Sequence, residues 1–289
     1  MAGITASTNL TELIPEITLE SQFIYQNKAI GPQLVEVQDR NGLPGLTVEF
    51  PRFTEVTGST GVAETGTPTS HQMDISMPTL TMARRSVYVI LGDVVKKASA
   101  QQVVSKIGKA MGMAKAKQDD AAIFSVVTAT TNWTTGTGVT NGDMAFGYIL
   151  DGILLLEKNE VDEQLFGVFH PHQYDNIRDV LTPVANDDPI AIAQATEMVR
   201  NAFVSRMFGV QWFVTNRIGS GTVTSTGDVY NGLLFARSGV GYAWSWLETP
   251  NIEINRDAPG AQSGMVLNYI DSAGVIYASG VCKLYSTSA

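Results

Sequence analysis

The residues that could do chemistry are few and scattered along the chain. Of three histidines, only His170 and His172 are close together, with Pro171 between them. A catalytic zinc needs three protein ligands and an open position, and this pair supplies two. The pattern instead predicts that His170 ends a strand and that His172 lies in the first turn of a helix. We therefore predict no metal site.

The other chemical candidates have equally plain interpretations. His71 lies in a segment rich in Gly and Thr, where it is either solvated or at an interface. Cys282 is predicted to be a small buried hydrophobic residue in a terminal strand. A short acidic segment contains Glu157, Glu160, Asp162 and Glu163. It is typical of a solvated turn at a helix end, and the alternative is a contact with a divalent ion or a partner.

Catalytic and cofactor-binding motifs are absent from the sequence. It contains no G-x-S-x-G, no H-E-x-x-H and no phosphate-binding loop. Gly136-Thr-Gly138 and Gly219-Ser-Gly221 begin like dinucleotide-binding motifs, but each lacks the third glycine. We expect both to be loops. The sequence predicts no catalytic residues, no cofactor and no enzymatic activity.

Composition restricts the class of protein. Apolar residues make up 44% of the 289 residues, charged residues only 16%, and the net charge is −9. This charge argues against a protein that binds nucleic acid tightly through phosphates. It is compatible with a wall that encloses DNA without adsorbing it, and equally with an acidic soluble cytoplasmic protein. One cysteine excludes an internal disulfide. We expect no signal peptide, no membrane span and synthesis in the cytoplasm.

Helical spacing and capping residues predict five helices. The first is an amphipathic helix over 9–28 that ends at Gly31-Pro32. The second is the longest and begins with Asp93 as its cap. Asp143, Pro171 and Asp188 open the others. The predicted ends of these four are, in order, Val127, Leu156, Leu181 and Met207.

Alternating and β-branched segments predict strands, so the fold class is α+β. The first two, Leu46–Phe50 and Ser86–Leu91, flank a segment over 57–70 rich in Gly, Thr, Ser and Pro. This is typical of a long hairpin, which in isolation is marginal in water because it has no face to bury. A neighbouring subunit would provide that face. Further strands are predicted at Gln164–Phe169, Val210–Thr215, Gly232–Ala236, Asn251–Asn255, Met265–Ile270 and Val275–Leu284.

The long helix carries six of the nine lysines. They leave two interpretations open, a solvated polar face or a face that meets acidic partner residues or packaged DNA. Gly108 and Gly112 inside the helix cost roughly 1 kcal/mol each relative to Ala, and we expect them to permit a bend or a close crossing. The six are Lys96, Lys97, Lys106, Lys109, Lys115 and Lys117.

The order of these elements resembles the Hong Kong 97-like fold of tailed-bacteriophage major capsid proteins. The segment 62–70, followed by 80–95, is similar to the extended loop that runs into the spine helix. Residues 115–124 are similar to the end of that helix, and 169–174 to a strand-to-helix turn of the axial domain. Residues 231–243 are similar to the return to the peripheral domain. The weight of the resemblance comes from the order of these loose motifs.

The resemblance implies a division of the chain and a function. It implies an N-terminal arm (1–44), an extended hairpin loop (45–91), a peripheral domain with the spine helix (92–135 and 245–289) and an axial domain (136–244). The protein would form hexamers and pentamers that close into an icosahedral shell around double-stranded DNA, without sequence-specific binding. The charged or polar residues of the hairpin expected to contact neighbouring subunits are Arg52, Glu64, His71, Arg84 and Arg85.

Two features refine this expectation. No lysine lies between Lys28 and Lys96, so the lysine through which some family members crosslink is missing, and we predict a non-covalent shell. The chain begins directly with the arm, so we expect a separate scaffolding protein, together with portal and possible cement proteins.

Two other functions stay open at this stage. An encapsulin-like nanocompartment would share the fold but would contain a cargo protein instead of phage DNA. A soluble α/β metabolic enzyme is the third interpretation, and the missing motifs and the long hairpin argue against it.

Overall fold

One long helix connects two β-sheets in the computed structural model of the chain. The structure describes residues 21, 29–53, 66, 74–92, 100–131, 133–134, 144–181, 206–223, 227–246, 252–255 and 262–287. Four helices lie within these ranges. They are α1 (Gly31–Leu34), α2 (Ala100–Thr128), α3 (Phe146–Lys158) and α4 (Pro171–Leu181).

A five-stranded sheet is built around one 14-residue strand, β15. One edge of β15 pairs along ten residues with β6, and the other pairs with β13 and then β14, all antiparallel. The arm segment adds β1, which runs parallel to β13. The bounds are β1 (Glu36–Asp39), β6 (Ala83–Gly92), β13 (Val240–Trp246), β14 (Ile252–Asn255) and β15 (Gln262–Val275).

A seven-stranded sheet forms the second body. Its order is β7-β16-β12-β8-β10-β9, and β11 pairs with β12. The strand β8 runs parallel to β10, and β12 is antiparallel to β8 and β16. The bounds are β7 (Trp133–Thr134), β8 (Leu165–Phe169), β9 (Arg206–Met207), β10 (Val210–Val214), β11 (Ser220–Val223), β12 (Gly227–Ala236) and β16 (Val281–Thr287).

The remaining strands form a hairpin that leads into β6. Two short antiparallel pairs, β2 with β5 and β3 with β4, share one register, because Thr47 lies opposite Thr81 and Phe53 opposite Ile75. Their bounds are β2 (Thr47–Glu49), β3 (Arg52–Phe53), β4 (Ile75–Ser76) and β5 (Thr79–Thr81). The predicted hairpin is therefore present, and its central residues over 57–65 and 67–70 lie outside the described ranges.

The long helix α2 has 29 residues, about 43 Å at 1.5 Å per residue. Its first half packs Ile107 and Met111 against the five-stranded sheet. Its second half packs Ile123, Phe124 and Val127 where the two sheets meet. The helices α3 and α4 cover the other face of the seven-stranded sheet. One helix thus contributes to both cores, which fixes the position of one sheet relative to the other.

Gly112 permits the close crossing that the sequence suggested for α2. A Cβ at this position would lie 2.3 Å from the carbonyl oxygen of Ser21, so only glycine lets the N-terminal segment approach so closely. Apart from Ser21, the predicted helix over 9–28 lies outside the described residues, as does the predicted cap Asp93.

Several predicted boundaries are wrong. Gly31-Pro32, predicted to follow the end of the first helix, comes after the non-helical residues 29 and 30 but begins the unpredicted helix α1, where Pro fits because the first turn needs no N–H donor. Asp143 was expected to cap α3, which begins at Phe146 after an extended Ala145 without a side-chain cap. The helix expected to end at Met207 cannot reach it, since Arg206 and Met207 form β9.

The C-terminal strands also differ from the expectation. Val275 ends β15 instead of beginning the last strand, and a 3₁₀ turn over Ala278–Gly280 separates it from β16. The helix Pro171–Leu181 was predicted with the bounds it has. The predicted strands coincide with β2, β6, β8, β10, β12, β14, β15 and β16, whereas β1, β7, β9, β11 and β13 were not predicted and the short hairpin strands β3, β4 and β5 had no predicted bounds. The loop predicted at Gly219-Ser-Gly221 is wrong in part, because Ser220 and Gly221 pair with β12 as part of β11. Cys282 is buried in β16, as predicted.

Gly167 provides a test of how tightly the seven-stranded sheet packs against its helices. Trp212 lies opposite Gly167 in the β8–β10 pair and stacks on Phe169, with ring centroids 4.0 Å apart. A Cβ at Gly167 would lie 2.1 Å from the indole ring. We expect Gly167→Ala to lower the free energy of unfolding by about 1–3 kcal/mol, measured by urea denaturation.

The matched control for this change is Gly147→Ala in α3, where a Cβ would meet no atom within 4 Å. That variant should be as stable as the wild type or more stable by up to about 1 kcal/mol. Equal stability of both variants and the wild type would show that the indole ring does not need Gly167.

Candidate functional site: the hairpin and its charged base

The base of the hairpin is part of the chain's own core. Alternate residues of its two strands, Val48 and Phe50 on one and Leu80 and Met82 on the other, are buried. They pack against Ala243 in β13 and are flanked by side chains of β15 and the turn after it. The sequence pattern predicts a hairpin with no face to bury, whereas the base of the hairpin has a buried face in the structure.

The part of the hairpin beyond this base exposes large apolar side chains. Phe53 is 61% exposed and lies opposite Ile75, which is 49% exposed. Met77, two residues after Ile75, is 52% exposed. Exposed apolar side chains that lie together at the surface of a protein mark interaction sites. We call Phe53, Ile75 and Met77 the apolar hairpin surface.

The arginines predicted to contact neighbouring subunits have partners within the chain. The Arg52 guanidinium lies 3.0 Å from the centroid of the Tyr277 ring, and its buried Nη1 has no hydrogen-bond partner among the described residues. Arg84 donates a hydrogen bond to Asn268 Oδ1 at 3.0 Å. Arg85 Nε lies 2.6 Å from Asp271 Oδ1. Their role between subunits stays a prediction.

Glu64 and His71, the other two predicted contacts, lie outside the described residues. The structure therefore assigns them no partner and no position relative to the arginines.

A buried charged cluster lies between α2 and the five-stranded sheet. Lys115 Nζ lies 2.6 Å from Asp119 Oδ2, one turn along α2, and neither side chain is more than 1% exposed. The sheet contributes Asp271, which is equally buried and pairs with Arg85 at the hairpin base. Tyr269 donates a hydrogen bond to Gln118 Oε1 at 2.6 Å. We call Arg85, Lys115, Asp119, Tyr269 and Asp271 the charged cluster.

Aromatic rings line the pocket that holds the ammonium group of Lys115. Its Nζ lies 4.5 Å from the ring centroid of Tyr269 and between 5.4 and 5.5 Å from those of Trp244 and Trp246. The negative faces of such rings attract a cation, most strongly when it is desolvated. The rings and Asp119 together offset the cost of burying this charge.

This geometry corrects one interpretation of the lysine-rich helix. Lys106, Lys109 and Lys117 are exposed, as a solvated face requires, but Lys115 is buried. The Lys115–Asp119 spacing of four residues was the available signal, because it allows a pair on one helix face. Lys96 and Lys97 lie outside the described residues.

Burial dominates the acid–base properties of the charged cluster. Burial raises the pKa of Asp271 to about 6, although the Arg85 charge opposes the shift. It also lowers the pKa of Lys115, against the attraction of Asp119, and raises the pKa of Tyr269. Asp119 Oδ1 and Asp271 Oδ2 lack hydrogen-bond partners among the described residues. The cluster is thus compensated in charge but incompletely hydrogen-bonded.

Asp120 binds the arm on a different side of α2. It accepts hydrogen bonds from the backbone N–H groups of Ile30 at 3.0 Å and Gly31 at 2.7 Å. It also pairs with Arg217, which follows β10. Burial raises its pKa, and these donors oppose the shift. One carboxylate therefore joins the arm, the long helix and the loop after a strand of the second sheet.

The histidine pair and the acidic turn have structural surroundings. His170 and His172 both stack on Tyr230, with ring centroids 4.7 and 4.3 Å apart. Burial lowers the pKa of His170, and the proximity of His172 adds to the shift. The described residues contain no group of three or more potential metal ligands. The four acidic residues of the predicted turn are exposed.

No helix among the described residues is long and apolar enough to cross a membrane. A long helix shared by two sheets, a hairpin that leads into an edge strand of one sheet and a C-terminal strand that pairs in the other define a fold of the Hong Kong 97-like class.

The comparisons with known proteins agree with this class. A family model described as phage capsid protein matches residues 93–284, more than half of the chain. The chain belongs to the phage capsid protein family, whose members are structural proteins of the virion capsid. No curated protein sequence matches the chain.

Solved structures show the same fold at low sequence identity. One from Mycobacterium phage Che8 has a TM-score of 0.68 and 16% identity, covering 89% of this chain and 90% of that one. The capsid of Ralstonia phage GP4 has a TM-score of 0.62 and 11% identity, covering 91% and 92%. A virus-like particle from Pyrococcus furiosus has a TM-score of 0.56 and 9% identity, covering 94% and 98%.

We expect the Lys115→Met variant to lose about 3–5 kcal/mol of unfolding free energy, since it leaves the carboxylate of Asp119 buried without its cation. Urea denaturation measures the loss. The control is Lys117→Met, an exposed lysine on the same helix, which should change stability by less than about 0.5 kcal/mol. Equal effects of the two variants would contradict the buried pair.

Asp271 should make stability depend on pH. Its pKa of about 6 exceeds the value near 4 of an unfolded aspartate. The folded state therefore binds more protons between these values, and its stability falls as the pH rises through this window. Relative to the wild type, Asp271→Asn should gain up to about 3 kcal/mol between pH 4 and pH 7. Urea denaturation at several pH values measures this gain, which the exposed control Asp175→Asn should not show.

Proposed function

We propose that the chain assembles into hexamers and pentamers that close into an icosahedral head shell around double-stranded DNA. The observation that carries this proposal is the apolar hairpin surface. Its base is anchored in the chain's own core, so the surface is held out at a fixed position. A monomer gains nothing from exposing Phe53 and Ile75 there, whereas an adjacent subunit can cover both.

The shell is proposed to be held without covalent crosslinks. The hairpin overlies an adjacent subunit through apolar and polar contacts, to which Arg52, Glu64, His71, Arg84 and Arg85 contribute. An exposed ion pair is worth under about 1 kcal/mol, but repetition over hundreds of copies adds up.

The proposed domains follow the family's layout. They are the arm (1–44), the hairpin (45–91), the peripheral domain (92–135 and 245–289) and the axial domain (136–244). In this division most of β13 belongs to the axial domain by sequence but pairs in the five-stranded sheet. The strand β16 belongs to the peripheral domain by sequence but pairs in the seven-stranded sheet. The two domains therefore exchange strands, which supports their moving as one unit.

The remaining partners follow from the function of a head shell. We propose a separate scaffolding protein, a portal and possible cement proteins, with synthesis in the host bacterial cytoplasm. DNA is enclosed without sequence-specific binding, and the net charge of −9 supports this because most of the wall repels phosphate.

The second candidate is a nanocompartment of the encapsulin type. The likeness to the virus-like particle from Pyrococcus furiosus favours it, at a TM-score of 0.56. The two candidates differ in what the particle contains, DNA in one case and a cargo protein in the other. Analysis of the contents of particles purified from their natural source distinguishes them.

Deletion of residues 58–70 tests the role of the hairpin. These residues lie beyond the last described pair of the ladder, Phe53 with Ile75, so the base can still fold. We expect soluble capsomers that fail to close, because they lack the tip that reaches the neighbouring subunit. Size-exclusion chromatography with negative-stain microscopy measures the yield of shells.

Two comparisons make this result interpretable. Expressed wild-type protein should form shells, and particles of wild-type yield from the deletion variant would refute a role in closure for the hairpin beyond the apolar hairpin surface, which the deletion keeps. Thermal unfolding of the variant, followed by circular dichroism, should match the wild-type capsomer and so exclude a folding defect.

A further inference from the structure

The buried pair of Lys115 and Asp119 has the geometry from which a covalent bond can form. The two residues are four positions apart on one face of α2, and Lys115 Nζ lies 2.6 Å from Asp119 Oδ2. A nitrogen at this distance from a carboxylate oxygen is roughly 3–3.5 Å from the carboxylate carbon, the separation from which reacting groups can attack. The helix therefore holds an amine and a carboxyl group within reach of each other.

Burial favours the uncharged and reactive form of this pair. Neither side chain is more than 1% exposed, and burial lowers the pKa of Lys115. Transfer of one proton along the hydrogen bond from Lys115 to Asp119 gives an amine and a carboxylic acid. This neutral pair costs less to keep out of water than two ions do, and a desolvated neutral lysine is an activated nucleophile.

The carboxyl group of Asp119 can turn to meet the amine. Attack on a carboxyl carbon comes from above the plane of the group, whereas a hydrogen bond to its oxygen lies near that plane. The buried Oδ1 has no hydrogen-bond partner among the described residues, and the terminal torsion of an aspartate has a broad energy minimum. Rotation about this torsion therefore breaks no hydrogen bond to Oδ1.

Asp271 can carry the proton that must move during such a reaction. It is buried beside the pair, and the charges of Lys115 and Asp119 both act on it. Burial raises its pKa to about 6, so its carboxyl group takes up and releases a proton near neutral pH. The charged cluster also contains Arg85, which pairs with Asp271, and the phenol of Tyr269.

We propose that Lys115 and Asp119 condense into an amide within each subunit, with Asp271 as the proton carrier. The bond between Nζ and Cγ forms, and one Cγ–O bond of Asp119 breaks. Of the three ammonium protons, one reaches the carboxylate of Asp119, one passes through Asp271 to the leaving hydroxyl group, and one stays on the amide nitrogen. The oxygen leaves as water, so the reaction needs no oxidant, reductant or other reactant.

The surroundings favour condensation over hydrolysis. A well-oriented intramolecular reaction has an effective molarity on the order of 10⁵–10⁸ M, and the rings of Trp244, Trp246 and Tyr269 cover the site against water. The amide removes one positive and one negative charge, and the Arg85–Asp271 pair stays balanced. The bond lies within one chain, so it joins no subunits and does not depend on the proposed shell.

Mass spectrometry of the purified wild-type chain tests the bond directly. We expect the mass of the unfolded chain to fall short of its sequence mass by one water molecule. Trypsin should not cleave after Lys115, and it should release residues 110–117 and 118–158 as one linked pair of peptides. A full sequence mass, or cleavage after Lys115 with separate peptides, would overturn the proposal.

Two comparisons distinguish this bond from other losses of water. The Lys115→Arg variant keeps the positive charge without the amine, so it should have its full sequence mass. The same loss of water in this variant would assign the dehydration to another residue and overturn the proposal. In the wild-type digest, which needs no variant to fold, Lys158 and Asp162 have the same spacing at exposed positions and should stay unlinked.

The Asp271→Asn variant tests the proton carrier. General acid–base catalysis contributes about 10²–10⁴-fold to a rate, so the linked pair should form more slowly in this variant by a factor in that range. The linked fraction is measured in digests taken at intervals after a short pulse of expression. The exposed control Asp175→Asn should match the wild type, and an unchanged rate in Asp271→Asn would overturn the role of Asp271.

Discussion

Two consecutive buried aspartates in the middle of the long helix hold the parts of the molecule together. Asp119 pairs with Lys115 beside the five-stranded sheet, and Asp120 binds the arm at Ile30 and Gly31. Neighbouring residues of a helix point about 100° apart, so adjacent side chains reach separate parts of the chain. Because an unpaired buried charge is costly, Asp120 can be buried only with the arm and Arg217 in place. Asp119 has its partner Lys115 within the helix, and the aromatic rings of the five-stranded sheet cover that pair.

The same constraint extends to the hairpin. Arg85 lies on β6, into which the hairpin leads, and it neutralises Asp271 next to the Lys115–Asp119 pair. The apolar side chains of the hairpin base add a second attachment on the face of β13. The Arg85–Asp271 pair and the apolar base are two independent attachments, and together they fix the direction in which the hairpin leaves the two sheets. The apolar hairpin surface is therefore held in a defined orientation.

Much of the fold could be predicted because its signals are local. Helical spacing identified α2, and Pro171 marked the start of α4, as the first-turn preference of proline predicts. The errors occur where tertiary pairing decides. Arg206 and Met207 follow a helical pattern but pair with β10, and Asp143 is a good cap that α3 does not use. The alternation of β13 was present in the sequence, but it was assigned to a connecting segment.

The charged cluster could be predicted only in part. The spacing of Lys115 and Asp119 is a local signal, whereas Asp271 comes next to Arg85 only through the pairing of β6 with β15, across more than half of the chain. The arginines of the hairpin were predicted to contact neighbouring subunits because their partners within the chain could not be predicted locally. Those partners, Asn268, Asp271 and Tyr277, lie near the other end of the sequence.

These intrachain partners change where the energy of the proposed subunit contact comes from. An arginine already paired in its own chain adds little when a neighbour arrives, and an exposed ion pair is worth under about 1 kcal/mol in any case. Full burial of one large apolar side chain contributes about 1.5–3 kcal/mol, and Phe53, Ile75 and Met77 are all available. We therefore propose that a shell without covalent links would draw its cohesion mainly from the apolar hairpin surface, and that the arginines, held by their own chain, would orient that surface.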